Sequence, residues 1–93
     1  MDTDKRRQLH ELLDIVLDTN GLEERVRTYT GYMPTMFLQF SGHIGSIRID
    51  LYSNGWMPFE KPDRVWNLDI ANGIPQETID DIREAANKAL EGK

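Results

Sequence analysis

With 93 residues, 39% of them hydrophobic and 29% charged, and no cysteine, the chain is composed for one small globular domain and excludes a disulfide scaffold, thiolate catalysis and Cys-based zinc sites. A net charge of −5 opposes non-specific attraction to nucleic-acid phosphates or anionic lipid. Asp2, Asp4, Lys5, Arg6 and Arg7 stand where a secretory leader would carry its apolar run, and no stretch is long enough to span a membrane; the expectation is a cytoplasmic protein of a single domain, 1–93.

Leu9, Leu12, Leu13, Val16 and Leu17 recur at the i, i+3, i+4, i+7 and i+8 spacing of an amphipathic stripe. That spacing predicts a helix from Asp4 to Asp18, with Thr3 as its N-cap and Asn20-Gly21 as its end. Lys5, Arg6 and Arg7 crowd the positive end of its dipole, and Asp2 and Asp4 only partly offset them. Leu22 to Thr30 alternates with low hydrophobicity, a pattern shared by an edge strand and a loop, and the turn residues Gly31-Tyr32-Met33-Pro34 follow.

Thr35 to Phe40 is rich in aromatic and apolar residues and reads as a strand, joined to the next through the hairpin loop Ser41-Gly42-His43-Ile44-Gly45. Ser46 to Tyr52 alternates most clearly, with Ile47, Ile49 and Leu51 inward and Ser46, Arg48, Asp50 and Tyr52 outward. Asn54-Gly55 closes this strand with the dipeptide suited to two consecutive positive φ angles. Pro58 and Pro62 keep Trp56 to Asp63 out of a central ladder, so the segment is expected to fold over one end of the sheet and enlarge the core. From Arg64 to Ile70, Trp66, Leu68 and Ile70 oppose Val65, Asn67 and Asp69, which predicts another strand. Pro75 opens a second helix, Gln76 to Leu90, with Ile79, Ile82, Ala86, Ala89 and Leu90 as its stripe and Gly92 as its end.

Helix, strands, helix in this order gives an α+β fold: a two-layer sandwich with the N- and C-terminal helices on one face of a three- to four-stranded antiparallel sheet. The other face of that sheet is then left to water or to a partner.

Nucleotide-binding, zinc-protease and serine-hydrolase motifs are all absent from the chain. Of the two imidazoles, His10 reads as a packing or surface residue of the first helix and His43 as a turn residue. Asp50 and Asp69 are the candidate metal or acid–base pair, although a hard cation needs more oxygen ligands than two carboxylates supply. Arg25, Arg27, Arg48 and Arg64 form a basic strip only if their registers align. Glu77, Asp80, Asp81 and Glu84 fall largely on one side of the second helix, a spacing open to mimicry of nucleic-acid phosphates. The helix-free sheet face collects Phe37, Arg48, Asp50 and Tyr52, with Trp56 beside it, a mixture of aromatic and charged groups suited to a protein interface.

The stretch Phe40-Ser41-Gly42-His43, followed by Tyr52 and Asn54-Gly55-Trp56, resembles small phage and prophage proteins of unknown role. The resemblance implies a mobile-element origin and a host-directed accessory protein or inhibitor. The expected function is a small acidic, non-enzymatic protein-interaction module that uses no cofactor and associates with a protein partner or with itself rather than with nucleic acid or membrane. An acidic inhibitor that mimics nucleic acid, and a small enzyme or metal-binding domain around Asp50 and Asp69, are the alternatives.

Overall fold

The protein was analysed as a computed structural model, which describes residues 3–21, 33–42 and 45–92. The 22–30 segment with Arg25 and Arg27, and His43 in the hairpin loop, lie outside the described residues. The elements run α1 (Thr3–Asn20), β1 (Thr35–Ser41), β2 (Ser46–Tyr52), β3 (Arg64–Asp69) and α2 (Gln76–Glu91). Among the described residues no helix is long and apolar enough to cross a membrane.

The three strands form an antiparallel sheet in the order β1-β2-β3, so the strand with the strongest alternation lies at its centre. Leu38 pairs with Ile49 and Ile49 with Trp66, while Phe40 and Leu68 flank Ile47. Because side chains alternate along a strand, this register gathers Met36, Ile47, Ile49, Leu51, Trp66 and Leu68 on one face, all buried. They join Leu12, Ile15 and Val16 of α1 and Ile79, Ile82 and Ala86 of α2 in a single core. Both helices therefore cover the same sheet face, as the element order predicts for an α+β sandwich.

Each helix is also tied to the sheet layer by polar contacts. At the end of α1, Gly21 has φ of +69° and donates to the Leu17 carbonyl at 2.8 Å, the left-handed stop expected of Asn20-Gly21. The Asn20 side chain then donates to the Met36 carbonyl at 2.8 Å and accepts from the Met36 N–H at 2.7 Å, pairing with the outer edge of β1 as a strand backbone would. In α2, Asp81 Oδ2 accepts from Trp66 Nε1 at 3.0 Å and from Arg64 Nη2 at 2.8 Å. The first of these bonds satisfies the indole N–H of a buried ring. Glu11 and Arg83, 2.6 Å apart, link the helices to each other.

Three local expectations are corrected. Leu13 and Leu17, two members of the predicted α1 stripe, are each 44% exposed, while Ile15 and Thr19 are buried. Five apolar positions cover a wider arc than the sheet and α2 contact, and the helix rotates to bury the Ile15 side. The Thr19 hydroxyl meets its buried surroundings by donating to the Ile15 carbonyl at 2.8 Å. The loop after β2 does not enlarge the core: Trp56 and Met57 are half-buried, while Pro58 is exposed and Phe59 fully exposed at φ of +71°. The turn after Tyr52 uses one positive φ, at Gly55 (+88°), and not two.

Candidate functional site

The same alternation that buries Ile47, Ile49 and Leu51 turns Arg48, Asp50 and Tyr52 to the side without helices. Phe37 lies directly opposite Asp50, and Val65 opposes Asp50 from the other flank. The row Phe37, Asp50, Val65 crosses the middle of this face, with Gln39, Arg48 and Asn67 as the adjacent row. Phe37 is 44% exposed and Val65 is exposed as well, which is unusual for residues at the centre of a strand pair.

Aromatic rings gather around Phe37. The Tyr52 ring meets it edge-to-face at a centroid distance of 5.6 Å, and the Trp56 ring does so at 6.3 Å. These edge-to-face contacts follow the ring quadrupoles and hold the three side chains in a defined cluster. Trp56 reaches the face because the turn at Gly55, whose N–H donates to the Tyr52 carbonyl at 3.2 Å, reverses the chain immediately after β2.

Beside the rings, Arg48 Nε donates to Asp50 Oδ1 at 2.8 Å. The Asp50 carboxylate raises the Arg48 pKa, chiefly through this hydrogen bond and then through its charge, so Arg48 stays protonated. The Asp50 side chain is more enclosed than that of Arg48, leaving the remaining guanidinium donors directed to solvent. The face thus offers an apolar centre of Phe37 and Val65, an aromatic flank, and a fixed polar pair with spare donors.

All five residues expected at the interface therefore fall on or beside one surface: Phe37, Arg48, Asp50 and Tyr52 on the sheet and Trp56 at its edge. Val65 belongs with them and was legible in the alternation that set it opposite to Trp66 and Leu68. Phe59 is exposed as well, and no periodicity in its proline-flanked loop marks it in the sequence.

The other candidate constellations are dispersed. Asp50 sits opposite Val65 and Asp69 opposite Ser46, four residues further along the sheet, or about 13 Å at the strand rise. Asp69 instead accepts from the Ala71 N–H at 3.0 Å and from Asn72 Nδ2 at 2.6 Å in the turn that follows. No group of three or more His, Asp or Glu side chains positioned for a metal occurs among the described residues.

Arg64 points to the helix side of the sheet, with its guanidinium 4.7 Å from the Trp66 ring centroid, and so does not align with Arg48. Three acids of α2 already face cations of this chain: Asp81 with Arg64, Asp80 with Arg83 at 3.7 Å, and Glu84 with Lys88 at 3.3 Å. Hydrogen bonding from Trp66 is the largest cause holding the Asp81 pKa below its ordinary value; burial opposes it, and the Arg64 charge reinforces it. His10 lies on the exposed side of α1, beside Arg6 and Leu13.

Comparison of the chain with protein-family models, with curated proteins and with solved structures finds no match, so what it does is argued from its own surface.

Proposed function

We propose that this protein is a non-enzymatic protein-interaction module that binds a foreign protein through the helix-free face of its sheet. The observation that carries the reading is the exposed Phe37 ring, held edge-to-face against Tyr52 and Trp56 on the helix-free face, beside the polar row of Gln39, Arg48 and Asn67. Aromatic rings restrained by their neighbours lose little conformational entropy on binding, and Tyr, Trp and Arg are the residue types that most often dominate binding energy.

Arg48 and Asp50 largely neutralise each other, so the surface suits a partner that supplies an apolar anchor and a few carbonyl or hydroxyl acceptors rather than a phosphate backbone. The resemblance of the β1 to Trp56 region to small phage and prophage proteins directs the search toward a host protein. The acidic-mimic reading loses force because Asp80, Asp81 and Glu84 are matched by cations within the chain.

Affinity capture from the native host, followed by titration of the captured partner, tests the proposal. Phe37→Ala and Tyr52→Ala should each weaken binding at least about tenfold while the far-UV spectrum and thermal transition stay close to wild type. Unchanged affinity in both variants would remove the sheet face from consideration. Loss of capture on charge reversal at Asp80 and Glu84, with strong salt dependence, would instead favour the acidic mimic.

A further inference from the structure

The loop between β2 and β3 carries a backbone outlier. Among the described residues Phe59 is the only one other than glycine with a positive φ, at +71°. In that region the Cβ of an L residue crowds the carbonyl that follows, and bulky side chains rarely adopt it. The conformation belongs to a turn: the Glu60 N–H donates to the Met57 carbonyl at 3.3 Å, with Pro58 and Phe59 as the two central residues. Proline presets the first central position, and a positive φ at the second completes the type II pattern, in which glycine is the usual occupant.

No burial offsets this strain. Phe59 is fully exposed, more so than any other large apolar residue described. A ring that suits its turn poorly and adds nothing to the core is unexplained by folding, and strained positions of this kind concentrate where a protein engages another molecule.

We propose that Phe59 is a second anchor of the interaction, inserted into an apolar pocket of the foreign partner; the inference rests on the proposed binding of such a protein. A single ring at the tip of a turn is convex, so its counterpart is concave and of ring size. Pro58 and Pro62 restrict the loop on both sides, and the turn fixes where the ring stands, so little conformational entropy is lost when it inserts.

The loop also ties this anchor to the aromatic cluster. Trp56, which meets Phe37 edge-to-face, precedes Phe59 by three residues, so the two Cα atoms are at most about 11 Å apart. A partner that covers Phe37 and Trp56 therefore carries its pocket at the border of that contact. The net charge of −5 opposes anionic lipid and phosphate backbones as the recipient of the ring, which favours a pocket in a protein.

The first test uses the isolated chain. Phe59→Gly relaxes the turn and should raise the thermal unfolding midpoint by about 2–6 °C, whereas Phe59→Ala, which keeps a Cβ at the same φ, should unfold below Phe59→Gly. A Phe59→Gly midpoint below that of wild type would give the ring a structural role and overturn the proposal. The second test titrates the most abundant protein retained from a native-host lysate by the immobilised wild-type chain. Phe59→Gly and Phe59→Ala should each weaken its binding about tenfold or more, and in the glycine variant this loss accompanies a gain in stability.

Unchanged affinity in both Phe59 variants, with a loss in Phe37→Ala, overturns the anchor and leaves the sheet-face reading standing. Unchanged affinity in all three removes both, as does a wild-type chain that retains no protein. A loss in the Phe59 variants alone keeps the anchor and removes the sheet face. Binding of wild type to phosphatidylcholine vesicles, or self-association in sedimentation, that Phe59→Gly abolishes would place the ring elsewhere and overturn the proposal.

Discussion

Helices α1 and α2 lie on the same sheet face but use their sequences differently. In α2 the apolar stripe is narrow and buried, formed by Ile79, Ile82 and Ala86, and its charges suit the helix: Glu77 in the first turn, Lys88 in the last, and Glu84 and Lys88 paired at i, i+4. In α1 the apolar arc is wider than the core can cover, and the charge order is reversed along the axis. A helix whose requirements are met within its own chain contributes to stability alone. One with surplus apolar surface leaves part of its stripe, here Leu13 and Leu17, in water.

The largest effect that sharpens this contrast is expected beneath both helices. Ile49 is fully buried at the centre of β2, and Ile49→Ala should cost about 2–4 kcal/mol of unfolding free energy in reversible denaturation. Ile82→Ala in α2 should fall in the same range, whereas a loss below about 1 kcal/mol at either site would make that position peripheral.

Next in size is Asn20→Ala, which removes both hydrogen bonds to the Met36 backbone and should cost about 1–2 kcal/mol. It should also speed amide exchange at Met36 more than at Ile49. Equal acceleration at the two amides would show that the clamp serves the whole fold and not the β1 edge.

Asp81 supplies the corresponding tie for α2, and its effect depends on pH. Its folded-state pKa is lowered, so its contribution is fully present above the unfolded-state value and is lost as pH falls through the folded value. The stability gap between wild type and Asp81→Asn should therefore be constant at neutral pH and close below about pH 4. A gap that persists into acid would mean that the Trp66 and Arg64 contacts do not depend on the carboxylate charge. The smallest effect belongs to the surplus face of α1: Leu13→Gln should change stability by no more than about 0.5 kcal/mol in reversible denaturation. A large loss there would make α1 a completed core helix like α2 and erase the contrast.

Much of the fold is legible in short-range pattern. The alternation of Ser46 to Tyr52 identifies a half-buried strand and assigns each residue to a face, because the period of 2 admits only two choices. The interaction surface was partly legible for the same reason, since the outward set Arg48, Asp50 and Tyr52 is the complement of the inward one. That Phe37, Tyr52 and Trp56 share this side was expected too, but their edge-to-face contacts were not legible, because they depend on β1 pairing in a register that sets Phe37 opposite Asp50, and on a turn that returns Trp56 to the sheet.

The sequence by itself determined the helices at either end of the described residues, the antiparallel sheet between them, and which face of each strand is apolar; these follow from composition and from periods of 2 and 3.6 that local backbone geometry imposes. Only the tertiary structure decided which part of the α1 stripe is buried, that Asp50 and Asp69 lie on different rows, and that Arg64 joins Asp81 and not Arg48. Those outcomes depend on helix rotation and strand register, which are set by packing between residues far apart in the chain and leave no trace in local spacing.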